Sequence, residues 1–393
     1  MTYSQNQQHL LLLLRMFFIK RNGGVKMKII CKKENLLESI NTVQKAVSIK
    51  STLQILQGIL ITAKSEIKLT GNDLEIGIES IMEGEIIEEG SIVLNSKLFG
   101  EIIRKMPQGD IEINIDENLK ALIKCENSVF EIKGISPGGY PAIPEVEKEN
   151  TIILKKNKIK EMIRQTVFCT SMDENRPIFT GELLDCKNNE VILVAIDGYR
   201  MAYRKSKTDI ENIEFKAVIP GKTLSEISRI MQGEDEDVEI IKSNNLIMFS
   251  FQNCKIVSRL LEGEFLKYEE VIPDEFETKI IIEKDKLLSS IERTLLLVSE
   301  EIKSPVKLSI KEEKINILMT TEIGAINDSL SIDINGKEIE IGFNSRYLAD
   351  ALKNIDDEVI EINFNSDVGP CIIKPIDSEE YIYMILPVRI KNE

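Results

Sequence analysis

The clearest pattern along the chain is a short apolar strand followed by an amphipathic helix. In Ile152–Gln165 a β-branched run leads into a predicted helix with apolar Ile159, Met162 and Ile163 at positions i, i+3 and i+4. The same pattern occupies two further segments, Ile29–Ile40 and Ile280–Ile291. The three copies are spaced at intervals of roughly 125 residues, which is the signature of an internal repeat.

A second strand–helix pattern lies inside each third of the chain. Its three copies are Ile92–Ile103, Ala217–Ile227 and Ile341–Ala351. Lys97, Lys222 and Arg346 share one register in these copies. Each third therefore consists of two similar halves, and each half is a strand, a helix and about three further strands. Antiparallel strands after each helix predict an α+β fold in which helices cover one face of the sheets.

The length of 393 residues suits two or three domains, and the repeat makes the number three. The predicted domains are 27–148, 149–274 and 275–393, with junctions near Pro144–Val146 and Ile272–Asp274, where proline and acidic residues interrupt the pattern. Residues 1–26 are predicted to be an upstream extension, because the first repeat begins just after Met27. The apolar run Leu10–Leu14 has no cleavage site after it and is too short to span a bilayer.

Charge is distributed unevenly along the chain. The net charge of −15 argues against a polyanionic partner. The predicted helices are nevertheless basic or neutral, so the acidic residues are concentrated elsewhere. This predicts one basic surface on an acidic body, although exposed helices are also rich in lysine through propensity alone. The acidic run Gly233–Asp237 is predicted to be a solvated hairpin turn.

Several kinds of chemistry are missing from the sequence. The one histidine is His9, in the predicted extension, so the body lacks histidine-based triads and zinc sites. The six cysteines are scattered without a C-x-x-C pair, which predicts reduced, partly buried thiols and no metal. No glycine-rich phosphate loop is present. Asp197 precedes glycine after an apolar strand and is predicted to form a turn, not a catalytic site. These features indicate a binding scaffold without a cofactor.

Four segments carry a resemblance to a known family: Arg176–Gly181, Val194–Ala202, Ser258–Gly263 and Tyr383–Arg389. With the threefold repeat, they make the chain from about Met27 to Ile390 similar to the bacterial sliding clamp, the β subunit of DNA polymerase III. The resemblance implies a DNA clamp fold with three similar domains, each of two β-α-β-β-β units. It also implies a head-to-tail homodimer that closes into a ring, with helices inside and sheets outside.

The resemblance further implies a function in DNA replication. The ring encircles duplex DNA through sequence-independent phosphate contacts. As a processivity factor it tethers the replicative DNA polymerase, and it needs a separate clamp loader. Other replication and repair proteins bind it through short peptides. The implied protein is cytoplasmic and nucleoid-associated, has no membrane partner, and is an accessory subunit without a catalytic site of its own.

The family's functional residues can be placed on this sequence. The implied DNA-binding residues are Lys50, Arg104, Arg176 and Lys222. The implied dimer interface comprises Lys105, Phe130, Leu297 and Val298. The implied peptide-binding pocket, with an apolar floor and with Arg and Tyr at its rim, comprises Phe179, Ile196, Gly198, Tyr199, Arg200, Met201, Leu266, Val271, Met384, Leu386, Pro387, Val388 and Arg389. Ile196 replaces the family's usual threonine, Leu266 replaces a usual proline, and Glu270 stands where some members are basic. These three departures bear on which peptides the pocket prefers more than on whether the pocket exists.

Other interpretations of these residues remain open. The basic residues are equally consistent with solvated surface charges, Phe130 with ordinary domain core, and the pocket with a packed domain junction. Two alternative functions follow. A non-topological DNA-binding repeat scaffold would bind linear and circular DNA alike. A carboxylate-dependent hydrolase would lose activity, without losing its fold, on the substitution Asp197→Asn.

Overall fold

The structure is a computed structural model, and it describes residues 26–48, 51–208, 213–299 and 304–390. Contacts divide the chain into two compact units. The first comprises Met1–Val146 and Met248–Ser258, and the second comprises Glu147–Ile247 and Arg259–Glu393. The finer division into three domains at 148 and 274 stays a prediction.

All six strand–helix patterns form a strand followed directly by a helix. Among the described residues the α-helices are α1 (Lys33–Val43), α2 (Ser96–Lys105), α3 (Lys156–Thr166), α4 (Gly221–Ile230), α5 (Lys284–Leu295) and α6 (Ser345–Lys353). Side chains cap two of them: Asn95 Oδ1 accepts from the Leu98 amide at α2, and Asn344 Oδ1 accepts from the Arg346 amide at α6. The apolar stripe of α3 is buried as its periodicity predicts.

The first unit contains two antiparallel sheets. Its strands are β1 (Met27–Lys32), β2 (Gly58–Ala63), β3 (Ile67–Asn72), β4 (Ile76–Met82), β5 (Glu85–Glu88), β6 (Gly90–Asn95), β7 (Asp110–Ile115), β8 (Lys120–Cys125) and β9 (Ser128–Lys133), with most of β17 (Cys254–Arg259). One sheet has the order β5-β1-β7-β8-β9, and the other includes β17-β4-β3-β2-β6. Leu36 and Ile40 of α1 are fully buried in this unit. Strand β9 ends one sheet and therefore leaves one edge unpaired within the described residues.

The second unit is larger. Its strands are β10 (Asn150–Lys155), β11 (Gly181–Lys187), β12 (Glu190–Ile196), β13 (Arg200–Lys207), β14 (Phe215–Pro220), β15 (Asp237–Ser243), β18 (Thr278–Glu283), β19 (Val306–Lys311), β20 (Lys314–Thr321), β21 (Gly324–Ser331), β22 (Asp333–Gly336), β23 (Ile339–Phe343), β24 (Val359–Phe364), β25 (Cys371–Pro375) and β26 (Tyr381–Ile385). Strand β16 (Leu246–Phe251) lies at the sequence boundary of the units.

Two sheets lie wholly within the second unit. A nine-stranded sheet has the order β14-β11-β12-β13-β26-β25-β24-β18-β22. A four-stranded sheet has the order β21-β20-β19-β23. In the larger sheet β13 pairs with β26, so Arg200 lies opposite Ile385 and Met201 opposite Met384. This pairing joins two of the segments that carry the family resemblance.

The acidic run Gly233–Asp237 is exposed except at Glu236, as predicted, but it is not a hairpin turn. The run connects α4 to β15, and it contacts the N-terminal end of α3. Glu236 Oε1 accepts a 2.7 Å hydrogen bond from Lys156 Nζ, and Asp235 Oδ1 accepts one of 2.9 Å from the Asn157 amide. Carboxylates at a helix N-terminus match the helix dipole. Lys156 is only 1% exposed, so it does not belong to the exposed basic face of α3.

All six cysteines are buried and unpaired, which confirms the prediction of reduced thiols. Burial, the largest cause, raises the pKa of the Cys31 and Cys186 thiols to about 12, so they remain protonated at neutral pH. None of the helices in the described ranges has the length and apolar character needed to cross a membrane.

Candidate peptide-binding groove

Two segments that are distant in sequence meet in the second unit. One is the turn between β12 and β13, and the other is the end of β26 with the residues after it. Ile196 pairs with Met201, which in turn lies opposite Met384. Beyond the strand, the Leu386 amide donates a 2.9 Å hydrogen bond to the Tyr199 carbonyl. The sheet thus brings the predicted pocket residues of both segments side by side.

The β12–β13 turn is built around Asp197. Its Oδ1 accepts hydrogen bonds from the amides of Tyr199 (2.9 Å) and Arg200 (3.1 Å), which is an Asx turn. Gly198 has φ +97°, and a Cβ at this position would lie 2.9 Å from Nη1 of Arg176. Asp197 therefore forms a turn, as predicted. The turn leaves the Tyr199 side chain 60% exposed.

The apolar residues of the predicted pocket occupy two levels. Ile196, Met201 and Met384 are buried and belong to one core cluster, against which Phe179 and Val271 pack. Tyr199, Leu386 and Val388 are exposed. The buried residues therefore form a supporting floor, whereas the exposed ones are available to a ligand.

The exposed residues line a groove with a volume of about 920 Å³. This volume lies within the usual range for ligand sites. Its lining comprises Tyr199, Val298, Ser299, Ser304, Pro305, Asn344, Ser345, Arg346, Tyr347, Leu386, Pro387, Val388 and Arg389. Five of the predicted pocket residues are in this set, and so is Val298, which was predicted for the dimer interface.

Sequence reasoning missed the contribution of α6 to this groove. Asn344, Arg346 and Tyr347 lie at the N-terminal end of α6 and line it. The one available signal was the Asn-Ser-Arg start of the sixth strand–helix copy, which by itself indicates only a helix cap. Among the described residues, neither the Arg346 nor the Arg389 side chain makes a salt bridge.

Arg200 differs from the rim residue that the sequence predicted. Its side chain is only 11% exposed. The guanidinium donates to Asp197 Oδ2 (2.9 Å), Asp350 Oδ2 (2.7 Å) and the Phe168 carbonyl (3.0 Å), and it lies 4.3 Å from the centre of the Tyr347 ring. Arg200 thus ties the β12–β13 turn to α6. Because its donors are already engaged, it shapes the groove and holds Tyr347 in place.

Leu266 is exposed, but the structure places it at a different opening. It lines a cavity of about 520 Å³ together with Lys216, Val218, Asn244 and Asn245. The neighbouring Phe265 packs edge-to-face on Phe179, with ring centres 6.3 Å apart. The Glu270 carboxylate is 3.3 Å from Lys267 Nζ at the surface. A role for Leu266 in peptide binding stays a prediction.

The predicted DNA-binding residues lie on several elements. Arg104 is in the last turn of α2 and donates to Asn41 Oδ1 (3.4 Å), and Lys222 is in the first turn of α4. Arg176 makes a 3.0 Å salt bridge with Asp173, and its guanidinium lies 5.6 Å from the centre of the Phe179 ring. Lys50 lies outside the described residues. These roles stay predictions.

Several other helix cations are already neutralised by carboxylates. The pairs are Arg164–Asp356, Arg229–Glu226, Arg293–Asp328 and Lys353–Glu292. Paired cations have a smaller net field than the sequence count indicates. Asp356 and Asp328 lie outside the helices, so the field around Arg164 and Arg293 is weaker than the helix residues alone predict.

The predicted interface residues lie near two sheet edges. Phe130 is 41% exposed on β9, with exposed Val129 beside it, so Phe130 is not domain core. Lys105 ends α2. Leu297 and Val298 follow α5 and are partly buried against the core. The adjacent Leu296 is exposed, which sequence reasoning missed.

The chain matches family models along most of its length. The models describe the N-terminal, central and C-terminal domains of the DNA polymerase III beta subunit, and they match residues 27–144, 153–267 and 269–389. The fold and the three matches together define a DNA clamp, and the chain belongs to the family of DNA polymerase III beta subunits.

Individual relatives agree with this family. The Beta sliding clamp of Staphylococcus epidermidis is 36% identical over 374 residues, which cover 92% of this chain and 99% of that protein. A putative DNA polymerase III beta subunit of Eubacterium rectale is 42% identical, with a TM-score of 0.90 over 93% of this chain and 100% of that one. The sliding clamp of Bacillus subtilis is 35% identical, with a TM-score of 0.90 over 93% and 99% of the two chains.

Proposed function

We propose that this chain is a sliding clamp whose head-to-tail homodimer closes into a ring around duplex DNA. The ring tethers the replicative DNA polymerase and other proteins that carry short clamp-binding peptides, and a separate loader opens it. The observation that carries this proposal is the groove beside β26 in a member of the DNA polymerase III beta subunit family. The chain acts as an accessory subunit and contributes no catalytic group.

The groove suits an extended peptide with apolar anchors. Tyr199, Leu386 and Val388 offer exposed apolar area over a buried floor, and Tyr347 adds a second aromatic ring. Aromatic and aliphatic anchors in a shallow depression supply most of the energy of such contacts. Arg346 and Arg389, which make no salt bridge with any described residue, would orient a peptide that carries an acidic residue or a carboxylate near these anchors.

The ring proposal rests on two of the sheet edges. Strand β9 ends the five-stranded sheet of the first unit, and β21 ends the four-stranded sheet of the second unit. Unpaired edges with exposed apolar residues are templates for strand pairing. Pairing β9 of one protomer with β21 of the other, with Phe130 beside Leu296 and Leu297, would produce a head-to-tail dimer.

The DNA contacts are proposed to be loose and sequence-independent. Arg104, Arg176, Lys222 and Lys50 would contact phosphates, which gives a salt-dependent attraction without fixing a position on the duplex. The acidic remainder would repel other polyanions. The proposed location is the cytoplasm, in association with the nucleoid.

Processivity of the cognate polymerase tests this function. With the loader, ATP and primed circular DNA, the protein should lengthen the products made in a single polymerase binding event. Omitting the loader should remove this increase, because a closed ring cannot thread a circle. Product lengths that do not change when the protein is added would contradict the proposal.

A Phe130→Asp substitution tests the interface. A carboxylate in an apolar contact costs on the order of several kcal/mol, so the variant should sediment as a monomer. Val368→Asp, which changes an exposed apolar residue elsewhere, is the control and should remain dimeric. A dimeric Phe130→Asp protein would exclude β9 from the interface.

A further inference from the structure

A second opening in the same unit is chemically unlike the peptide groove. It has a volume of about 760 Å³ and lies between the nine-stranded sheet and the connection 268–277. Its apolar lining comprises Ile192, Tyr203, Tyr268, Ile272, Phe276 and Ile382. It shares no lining residue with the groove. We call it the connector cavity.

The connector cavity carries an excess of acidic groups. Its three lysines already have partners: Lys187 pairs with Glu269, and Lys279 and Lys374 approach Glu361 to 2.5 Å and 3.6 Å. The carboxylates at Glu190, Asp274 and Glu379 also line the cavity and make no salt bridge within the described residues. The lining holds six carboxylates and three lysines, so it carries a net negative charge and favours a cationic ligand.

An independent observation also indicates a missing donor. Asn363 lines the cavity and is only 3% exposed. Its Nδ2 donates a 2.7 Å hydrogen bond to Glu361 Oε1, which fixes the orientation of the amide, but its Oδ1 accepts no hydrogen bond. A buried acceptor without a partner is uncommon in folded proteins. An N–H or O–H group that reached this oxygen would satisfy it.

We propose that the connector cavity binds a basic peptide segment of a partner protein, in which an Arg or Lys side chain stands next to an apolar residue. The apolar residue would pack on the floor formed by Ile192, Ile272 and Ile382. The cationic side chain would contact the three unpaired carboxylates and supply the donor for Asn363 Oδ1. Charge-assisted hydrogen bonds with apolar contact give such a site both affinity and orientation.

The test uses the full chain labelled at isoleucine δ1 methyl groups and observed by NMR. The probe is acetyl-Arg-Leu-Arg-amide, and acetyl-Glu-Leu-Glu-amide and spermidine are compared with it. The Arg peptide should shift the methyl signals of Ile192, Ile272 and Ile382 in a saturable manner. The Glu peptide and spermidine should not, because one has the wrong charge and the other lacks the apolar residue.

Substitution of the carboxylates provides the second arm. A variant with Glu190→Gln, Asp274→Asn and Glu379→Gln should weaken binding of the Arg peptide by about tenfold, since each exposed charge pair contributes modestly. The matched control, Glu174→Gln with Glu234→Gln, removes exposed carboxylates outside the cavity and should leave the affinity unchanged. Leu386→Ala, in the peptide groove, should also leave it unchanged, which separates this site from the proposed clamp function.

Three results would overturn the proposal. One is the absence of saturable shifts at the three isoleucines with the Arg peptide. Another is equal shifts with spermidine, which would mean that the cavity takes a bare polycation and not a peptide. The third is unchanged affinity of the Arg peptide for the carboxylate variant.

Discussion

The groove beside β26 and the connector cavity have similar floors and opposite charges. Both lie in the second unit, and both place apolar and aromatic side chains beneath an open mouth. Within the described part of the chain, the groove contains Arg346 and Arg389 without salt bridges, and none of its lining residues is acidic. In the connector cavity every lysine is paired and the unpaired groups are carboxylates.

This difference indicates how one surface could sort its partners. Apolar floors supply affinity with little discrimination, because most partner peptides carry an aliphatic or aromatic residue. The charge at the mouth then rejects the wrong partner through repulsion and desolvation. We therefore expect acidic peptides in the groove and basic peptides in the connector cavity.

Removing the apolar contacts of the groove should have the largest effect. Met384→Ala with Leu386→Ala should abolish binding of a labelled clamp-binding peptide of the cognate polymerase, measured by fluorescence anisotropy, and leave the dimer intact. Met384 is only 8% exposed. Its truncation should also cost about 2–4 kcal/mol of unfolding free energy.

The single variant Leu386→Ala separates these two effects. Leu386 is exposed, so its truncation should weaken peptide binding while the thermal unfolding temperature stays near that of the parent. Val368→Ala, an exposed apolar position away from the groove, serves as the control. Unchanged peptide affinity in the double variant would refute the assignment of the groove.

Reversing the positive charge at the groove should have an intermediate effect. It would make the groove acidic, like the connector cavity. Arg346→Glu with Arg389→Glu should lower the affinity of the groove for a peptide with an acidic residue by roughly tenfold to a hundredfold, because attraction becomes repulsion at two positions. The same variant should gain affinity for the basic tripeptide at the groove. The control is Lys64→Glu with Lys314→Glu, which reverses two exposed lysines that line neither the groove nor the connector cavity. If the charge reversal changes the affinity for neither peptide, charge does not determine which partner binds.

The smallest effect is expected from restoring the family's usual residue at the floor. Ile196→Thr removes apolar volume beneath the groove and introduces a hydroxyl, which should cost about 1–3 kcal/mol of unfolding free energy in thermal denaturation. Because Ile196 is buried and the ligand contacts the layer above it, peptide affinity should change by less than about threefold. Ile153→Thr, at an exposed strand position, is the control. A larger loss of peptide affinity would place Ile196 in direct contact with the ligand.

Local patterns predicted much of the fold. Each of the six strand–helix patterns forms as expected, because apolar periodicity and helix caps depend on residues close in sequence. The burial of Lys156 could not be predicted, since its partner Glu236 is supplied by a connection some 80 residues away. The contacts of Asp235 and Glu236 with the start of α3 could not be predicted for the same reason.

The groove illustrates the same limit. Family resemblance brought Tyr199 and Leu386 into one predicted site, and the β13–β26 pairing places them together. Sequence alone could not indicate that Arg200 is engaged by Asp350 and Tyr347, because those contacts arise only when α6 packs beside the turn. Nor could it separate the buried floor from the exposed residues that a peptide would contact.

Topological linkage to DNA tests the central claim most directly. The protein is loaded onto nicked circular duplex with the cognate loader and ATP, washed in high salt, and the circle is then cut. A closed ring should remain on the intact circle and be lost when the circle is cut, because only threading holds it there. Equal retention on circular and linear DNA would contradict the clamp and favour a non-topological DNA-binding scaffold.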